Sequence, residues 1–239
     1  MKAERPYPAY TVTPKAEAAI LKGHPWVYAD EITAAPGTAP ENGAVVDVLS
    51  RKGRYLGSGL LSEASKIRVR LLSRNANDRF DEDFWRRRIE YAWAYRKAIY
   101  PVEDLQCCRV VFGEADSLPG VTVDRFGPIL SVQILSYGLE KRKELLARLL
   151  VETLQADGQV IEGVFLRNDV ALREKEGLSE GKGWLEVPGL VHPEKAGTVI
   201  TENGVRYHVD VENGQKTGFF LDQKLNRRRV AQLAKGRRV

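Results

Sequence analysis

The sequence predicts an α+β chain in three parts: a small β-barrel, a strand-strand-helix-strand layer, and a β-hairpin that runs into a helix. Three observations carry this. Short β-forming runs alternate with glycine turns between residues 44 and 72, leucines recur at helical spacing over 140–155 among strand-like runs, and alternating β-formers flank Asn203-Gly204. With 239 residues, 43% of them hydrophobic and 29% charged, the chain can bury one large or two small cores.

In the first part, residues 1–75, Thr13 stands as the N-cap and Pro14 as the first residue of a short helix that ends at Leu21. The turn Lys22-Gly23-His24-Pro25-Trp26-Val27-Tyr28 follows, bearing a cation, an imidazole and two aromatic rings. Strands are expected at 44–49, 54–61 and 66–72, with turns at Asn42-Gly43 and Arg51-Lys52-Gly53, a spacing that suits a small barrel. The 22–28 loop has two readings. Its cations can engage phosphates while its rings stack or fill a minor groove, or Trp26 and Tyr28 can plug the barrel end with Lys22 solvated. Arg68 and Arg70 share one strand face, either as a phosphate-facing row or as partners for an acidic neighbour.

The second part, 76–197, begins with a helix over 78–99, whose stripe is Trp85, Ile89, Ala92, Trp93 and Ile99. Asp78, Asp81, Glu82 and Asp83 gather at its start, where the helix dipole favours negative charge. Arg86, Arg87 and Arg88 cover its outer face, as solvated ion pairs or as RNA contacts. Strands at 107–112, 120–127, 129–135 and 160–166 surround a helix at 140–155 that buries Leu145, Leu146, Leu149, Leu150 and Leu154, giving one helix layer on one sheet. Residues 179–197, rich in Gly, Pro and Glu, read as a connector with an edge strand.

In the third part, 198–239, the hairpin suits a two-residue type I′ turn. Gly214 and Gly218 frame a polar loop, Phe219-Phe220 follows, and Asp222-Gln223 opens a helix with Leu221, Leu225 and Leu233 on one side and Arg227, Arg228 and Arg229 on another. This is either a plain connection or the rim of a site.

Charge is unevenly spread: residues 1–75 carry +4, residues 76–213 carry −6, and residues 214–239 carry +7. Basic ends on an acidic frame suit a polyanion as partner, although the +4 of the front alone also fits an ordinary mixed surface. No apolar run approaches a membrane span and the N-terminus lacks a signal-peptide core, so a cytoplasmic location is expected. Adjacent Cys107 and Cys108 suit neither a mutual disulfide nor a metal, and three scattered histidines predict no metal site.

The run Lys216-Thr217-Gly218-Phe219-Phe220-Leu221-Asp222-Gln223-Lys224, with Asn226-Arg227, resembles the segment that opens the catalytic domain of the SAM-dependent methyltransferases that modify cytosine C5 in large-subunit ribosomal RNA. In that family a PUA RNA-binding domain and a small α+β domain precede a Rossmann-like domain. Lys22-Gly23-His24-Pro25-Trp26-Val27, Gly57-Ser58-Gly59-Leu60 and Ser65-Lys66-Ile67-Arg68-Val69-Arg70 resemble its PUA segments. The stretch from Gly113 to Gly127, with Arg167-Asn168-Asp169 and Arg173-Glu174-Lys175-Glu176-Gly177-Leu178, resembles its central domain.

The resemblance implies RNA contacts at Lys22, His24, Trp26, Lys66, Arg68 and Arg70. It places Phe220, Asp222 and Gln223 beside S-adenosyl-L-methionine, with Lys216 and Thr217 beneath. It makes ribosomal RNA the partner and leaves a homodimer open for full-length members. No catalytic residue is expected, because no strand-glycine-helix pattern or Asp-Pro-Pro-type loop follows residue 223 and no cysteine sits in a catalytic context. The family's first cofactor strand begins about where Arg237-Arg238-Val239 stand, so the chain is expected to be the RNA-recognition part with an incomplete SAM site. An alternative is a stand-alone RNA-binding or adaptor module. A third reading, a hydrolase using Glu114, Asp116, Asp124 and Asp169, is disfavoured by the neighbouring glycines and arginines, which suit turn-capping and ion pairing.

Overall fold

The computed structural model describes residues 5–238; expectations attached to residues 1–4 and to Val239 lie outside them. The front sheet contains β1 (Ala9–Val12), β2 (Trp26–Tyr28), β3 (Ile32–Ala34), β4 (Val45–Leu49), β5 (Tyr55–Leu61) and β6 (Ile67–Ser73), with α1 (Pro14–Leu21) between β1 and β2. Its order is β2-β6-β5-β4-β1-β3, antiparallel except for the parallel β1–β4 pair. Strands β2 and β3 are joined by one short turn, Ala29–Glu31, yet lie at opposite edges, so the sheet must curl. Inside the curl Val12, Ile20, Val27, Val46, Val48, Leu61 and Val69 form a core. Sequence pattern pointed to three of these six strands. The other three have only three or four residues each, too short to display an alternating pattern. Gly59 lets β5 press on β6, since a Cβ there would meet the Arg70 carbonyl oxygen at 2.2 Å.

Helix α2 (Glu82–Ile99) starts later than the expected residue 78, at an Asp81 N-cap whose side chain accepts from the Phe84 amide at 3.1 Å, with Glu82 and Asp83 in its first turn. Asp78 lies ahead of it and accepts from the Ser73 hydroxyl at 2.5 Å. The central sheet follows: β7 (Cys107–Phe112), β8 (Val121–Phe126), β9 (Ile129–Ile134), then α3 (Tyr137–Glu140) and α4 (Lys143–Ala156), then β10 (Gly163–Arg167) and the edge strand β11 (Lys182–Leu185). The order is β11-β10-β9-β8-β7, with β9 and β10 parallel across the α3–α4 connection and the other pairs antiparallel. Helices α2 and α4 contribute Trp85, Ile89, Trp93, Leu146, Leu149, Leu150 and Leu154 to the largest core. Ile99, expected in the stripe, is exposed at the end of α2.

The hairpin of β12 (Gly197–Glu202) and β13 (Val205–Asp210) turns through Asn203 and Gly204, both at positive φ, as a type I′ turn requires. It forms a layer of its own. Ile200, Val209 and Val211 pack with Phe126, Ile129 and Phe165 of the central sheet, and Leu221 joins this cluster. Helix α5 (Lys224–Ala234) differs from expectation: Leu221 precedes it, while Leu225 and Leu233 are 72% and 65% exposed. Among those residues no sheet is wholly parallel, and no helix is long and apolar enough to cross a membrane.

The two sheets share a core. Leu60 of β5 and Leu72 of β6 belong to the cluster built on α2 and α4, not to the interior of the curl. A Cβ on Gly138 of α3 would lie 2.7 Å from the Leu60 Cβ, so α3 approaches β5 as closely as a glycine allows. Gly138→Val should therefore lower stability by about 1–3 kcal/mol through overpacking, read as a reduced Tm and a lower urea midpoint.

Candidate functional site

Two regions hold the residues singled out in the sequence. The first is the outside of the curled sheet near the end of α1. Thr13 caps α1, its hydroxyl accepting from the Ala16 amide at 3.2 Å. At the other end Gly23 adopts φ +113°, and the amides of Lys22 and His24 both return to the Ala19 carbonyl at 3.1 and 3.0 Å. This reversal groups three rings: His24 lies 5.7 Å from Trp26 and 6.1 Å from Tyr28, the latter pair stacked. Lys22, His24, Tyr28 and Lys66 line a cleft of ≈ 1080 Å³, together with Lys15 and the acids Asp30 and Glu31. Lys22 and Lys66 are exposed and His24 is half-buried.

The remaining three of the six expected contact residues are engaged elsewhere. Arg68 is half-buried and donates to the Glu63 carbonyl at 2.6 Å. Arg70 is buried and pairs with Glu176 of the central part at 2.5 Å, so it does not extend a phosphate-facing row. Trp26 donates its indole N–H to Glu114 at 2.9 Å, and Arg70 lies 5.9 Å from its ring centre. Trp26 and Arg70 face each other on β2 and β6. Together they join the front sheet to the central one. A buried guanidinium requires such a partner.

The second region is the loop after β13. Asp210 accepts from the amides of Glu212 and Asn213 at 3.0 and 2.9 Å, which turns the chain. A Cβ on Gly214 would meet the Gly218 carbonyl oxygen at 2.2 Å and that of Asp210 at 2.4 Å, so this turn admits only glycine. Central-sheet side chains fix the loop from below. Arg167 donates to the carbonyls of Val211 and Gly214 at 2.7 and 2.9 Å. The Ser131 hydroxyl donates to the Thr217 carbonyl at 2.6 Å, and the Thr217 hydroxyl donates to Asp124 at 2.5 Å. Asp124 has no exposed surface and also receives a bidentate bond from Arg109 at 2.8 and 2.9 Å. The ion pairing expected of Asp124 is met by Arg109, but the loop contacts of Asp124 and Ser131 carry no sequence signal because they lie 93 and 86 positions away.

Above the brace, Lys216 is held at φ +56°, with its ammonium 4.5 Å from the Phe220 ring centre and 3.2 Å from Asp222. Gln223 donates to Asp222 at 3.2 Å. These bonds, that from Gln223 first and then Lys216, hold the Asp222 carboxyl below the usual carboxylate range. Arg227 pairs with Glu202 at 2.6 Å, donates to the Phe220 carbonyl at 2.7 Å and covers the Phe219 ring at 4.4 Å. Phe220, Asp222 and Gln223 thus share one solvent-facing lip with Lys216.

The acids considered for hydrolysis are paired. Glu114 holds Trp26, Asp116 holds Arg96 at 2.7 Å on both oxygens, Asp124 holds Arg109, and Asp169 holds Arg167 at 3.0 Å. Arg86 pairs with Glu82 and Glu152 at 3.0 and 2.8 Å, and Arg88 donates to the Leu72 carbonyl, so the triple arginine ties α2 to its neighbours. Cys107 and Cys108 are free thiols of β7, both pushed up to about 12 by burial, and are thiols near neutral pH. Among the described residues no group of three or more His, Cys, Asp or Glu could hold a metal ion.

Comparison with known proteins first gives a class: residues 11–74 match the family model of a PUA-like domain, which spans all of the curled sheet but its outermost residues. The chain as a whole is similar to proteins named ribosomal RNA large subunit methyltransferase I. The protein of Shewanella denitrificans is 39% identical over 228 residues, which is 95% of this chain and 55% of the relative. That of Aeromonas salmonicida is 37% identical over 223 residues, 93% of this chain and 54% of the relative. The chain spans about half the length of the curated relatives it matches. Among solved structures, one assigned as a SAM-dependent methyltransferase from Streptococcus mutans superposes with a TM-score of 0.71 at 19% identity, covering 93% of this chain and 53% of that one. A second, a methyltransferase complexed with SAH, gives 0.71 and 19% over 92% of this chain and 52% of its own length. The fold is shared with these structures.

Replacing Asp124 with Ala should destabilise the protein by about 3 kcal/mol, since it strips Arg109 and the buried Thr217 hydroxyl of their acceptor. Thr217→Val should cost only about 1 kcal/mol. Both should accelerate amide exchange over residues 211–218 before the rest of the central sheet is affected.

Proposed function

We propose that this chain is the RNA-recognition part of a SAM-dependent methyltransferase acting on cytosine C5 of large-subunit ribosomal RNA. The observation that carries the reading is the similarity to large-subunit rRNA methyltransferases along 95% of the chain. The exposed Lys22 and Lys66, with the His24 and Tyr28 rings between them, support RNA contact at the front sheet. Cations there meet phosphates, and the flat rings read shape. The organisation proposed is a PUA-like RNA-binding unit at 1–75, a central α+β unit at 76–197, and at 198–239 the hairpin and helix that open a methyltransferase unit.

S-adenosyl-L-methionine is the methyl donor in this reading, and it supplies an electrophilic methyl group. The lip suits part of such a cofactor chemically. Phe220 offers an apolar face, and Asp222 and Gln223 offer acceptors for hydroxyl or amino groups. Methylation at C5 also needs a nucleophile to add at C6. Half-buried Cys107 and buried Cys108, their thiols both pushed up to about 12, are poorly suited to that role. Residues 1–239 alone are therefore proposed to bind RNA and not to methylate it. The exposed Leu225, Val230 and Leu233 of α5 support packing against a further catalytic unit. A second reading, a self-contained RNA-binding adaptor, is favoured by the packing of the hairpin on its own central sheet.

Binding of a structured rRNA fragment should weaken steeply with salt. Lys22→Ala and Lys66→Ala should each lower the slope of log Kd against log salt by about 1; an unchanged slope in the double variant removes the front sheet from the interface. With tritiated SAM, the 239-residue chain should leave the fragment unlabelled. Label above background would refute the proposed division of labour.

A further inference from the structure

A second cleft, of ≈ 590 Å³, lies between the curled sheet and the central sheet. Its walls carry Phe112 and Leu172, 54% and 50% exposed, and the half-buried Trp26 and Leu135. Exposed apolar side chains in a concave site mark a place for a ligand more than a surface accident. Arg109 lies 5.2 Å from the Phe112 ring centre and still leaves the ring half-exposed. Polar side chains in the wall have bonding capacity left: Arg70 Nε and Glu176 Oε2 are buried without partners among the described residues, and Glu114 is half-used. Glu114 spends Oε1 on the Trp26 indole, and Oε2 makes no hydrogen bond among the described residues. The rim carries Lys66 from the front sheet and Lys175 from the central part, both exposed and neither in an ion pair among the described residues.

Three ligand chemistries can be weighed against this lining. A free phosphate would use the lysines and leave Phe112 and Leu172 wet. A wholly apolar ligand would leave the Glu114 oxygen and two ammonium groups unused. A nucleotide uses all of them: the ring covers the apolar walls, an exocyclic amine donates to the carboxylate, and flanking phosphates meet the lysines. Position adds a further argument, because Lys66 lines both this cleft and the ≈ 1080 Å³ cleft with Lys22 and His24. A single strand can pass from one to the other across that ammonium.

We propose that the cleft between the two sheets receives one unstacked, amine-bearing nucleobase of the RNA that lies on the front sheet, with the base against Phe112 and Leu172 and its amine on Glu114. This inference rests on the RNA-binding reading above. It adds a base-reading pocket to a surface that otherwise engages backbone and shape.

The test uses the full 239-residue chain, ¹⁵N-labelled, and two RNA hairpins that differ at one unpaired position, adenosine in one and an abasic ribose in the other. The amides of Gly113, Thr122 and Leu172 report the cleft; those of Gly23, His24 and Tyr28 report the front sheet. Cleft amides should shift with the adenosine hairpin and not with the abasic one. The abasic hairpin should bind at least about fivefold more weakly, the lower end of one base–aromatic stack. Phe112→Ala, at an exposed position, should bring the adenosine hairpin to the abasic level. Silent cleft amides, or equal shifts with both hairpins, overturn the pocket even where front-sheet amides respond. Cleft amides that discriminate while front-sheet amides stay still uphold the pocket and count against RNA contact at Lys22 and His24.

Discussion

The carboxylate of Asp124 has no exposed surface, and the arrangement of the C-terminal lip depends on it. It sits on β8, takes both bonds of the Arg109 fork from β7, and receives the Thr217 hydroxyl from a loop 93 positions further along the chain. A buried charge is tolerated only when its lone pairs are filled, and here three donors fill them. Arg167 does the same in reverse, as a buried cation satisfied by two loop carbonyls and Asp169. The lip is therefore a product of the central sheet. Its side chains Lys216, Phe220, Asp222 and Gln223 stand on a loop whose backbone is fixed from beneath, which is how a functional loop gains position without becoming part of a strand.

A second polar connection runs between the sheets. Arg70 with Glu176 and Trp26 with Glu114 place two front-sheet side chains on two acids of the central part. The uneven charge of the chain has a structural use here, since the acidic middle supplies partners for the basic front. What stays free is a smaller cationic surface than the sequence offers, centred on Lys22 and Lys66. The Arg70–Glu176 pair leaves Arg70 Nε and Glu176 Oε2 buried without partners, so the connection is imperfectly satisfied.

Much of the fold was legible in local chemistry. The Thr13-Pro14 start of α1, the Asn203-Gly204 turn and the leucine spacing of α4 each report a short-range rule, and all three elements stand where those rules put them. Less legible were β1, β2 and β3, whose lengths carry no period, and the packing of the hairpin on the back of the central sheet, which depends on residues far apart in sequence. The sites divide in the same way. Lys22, His24 and Lys66 gather because one turn and one neighbouring strand place them together. Arg70 was ambiguous because alternation along a strand states which face a side chain takes, and not what covers that face. For Asp124 the sequence suggested turn-capping or ion pairing, and for Arg167 a central-domain motif, but neither reading reached the loop they brace, since a contact so distant leaves no local signature.

The sharing of Leu60 and Leu72 between two structural units bears on modularity. A domain that can be grafted elsewhere closes its own hydrophobic surface. The curled sheet does not, because two of its leucines complete the neighbour's interior and Gly138 of α3 is pressed against one of them. Excised at its sequence boundary, the front unit would carry an oily scar where the helices had been. Transplanted onto another protein, it would need a host with a matching hollow. Recombination within this architecture should therefore move the two units as a pair, with the orientation of the Lys22 and Lys66 face inherited along with them.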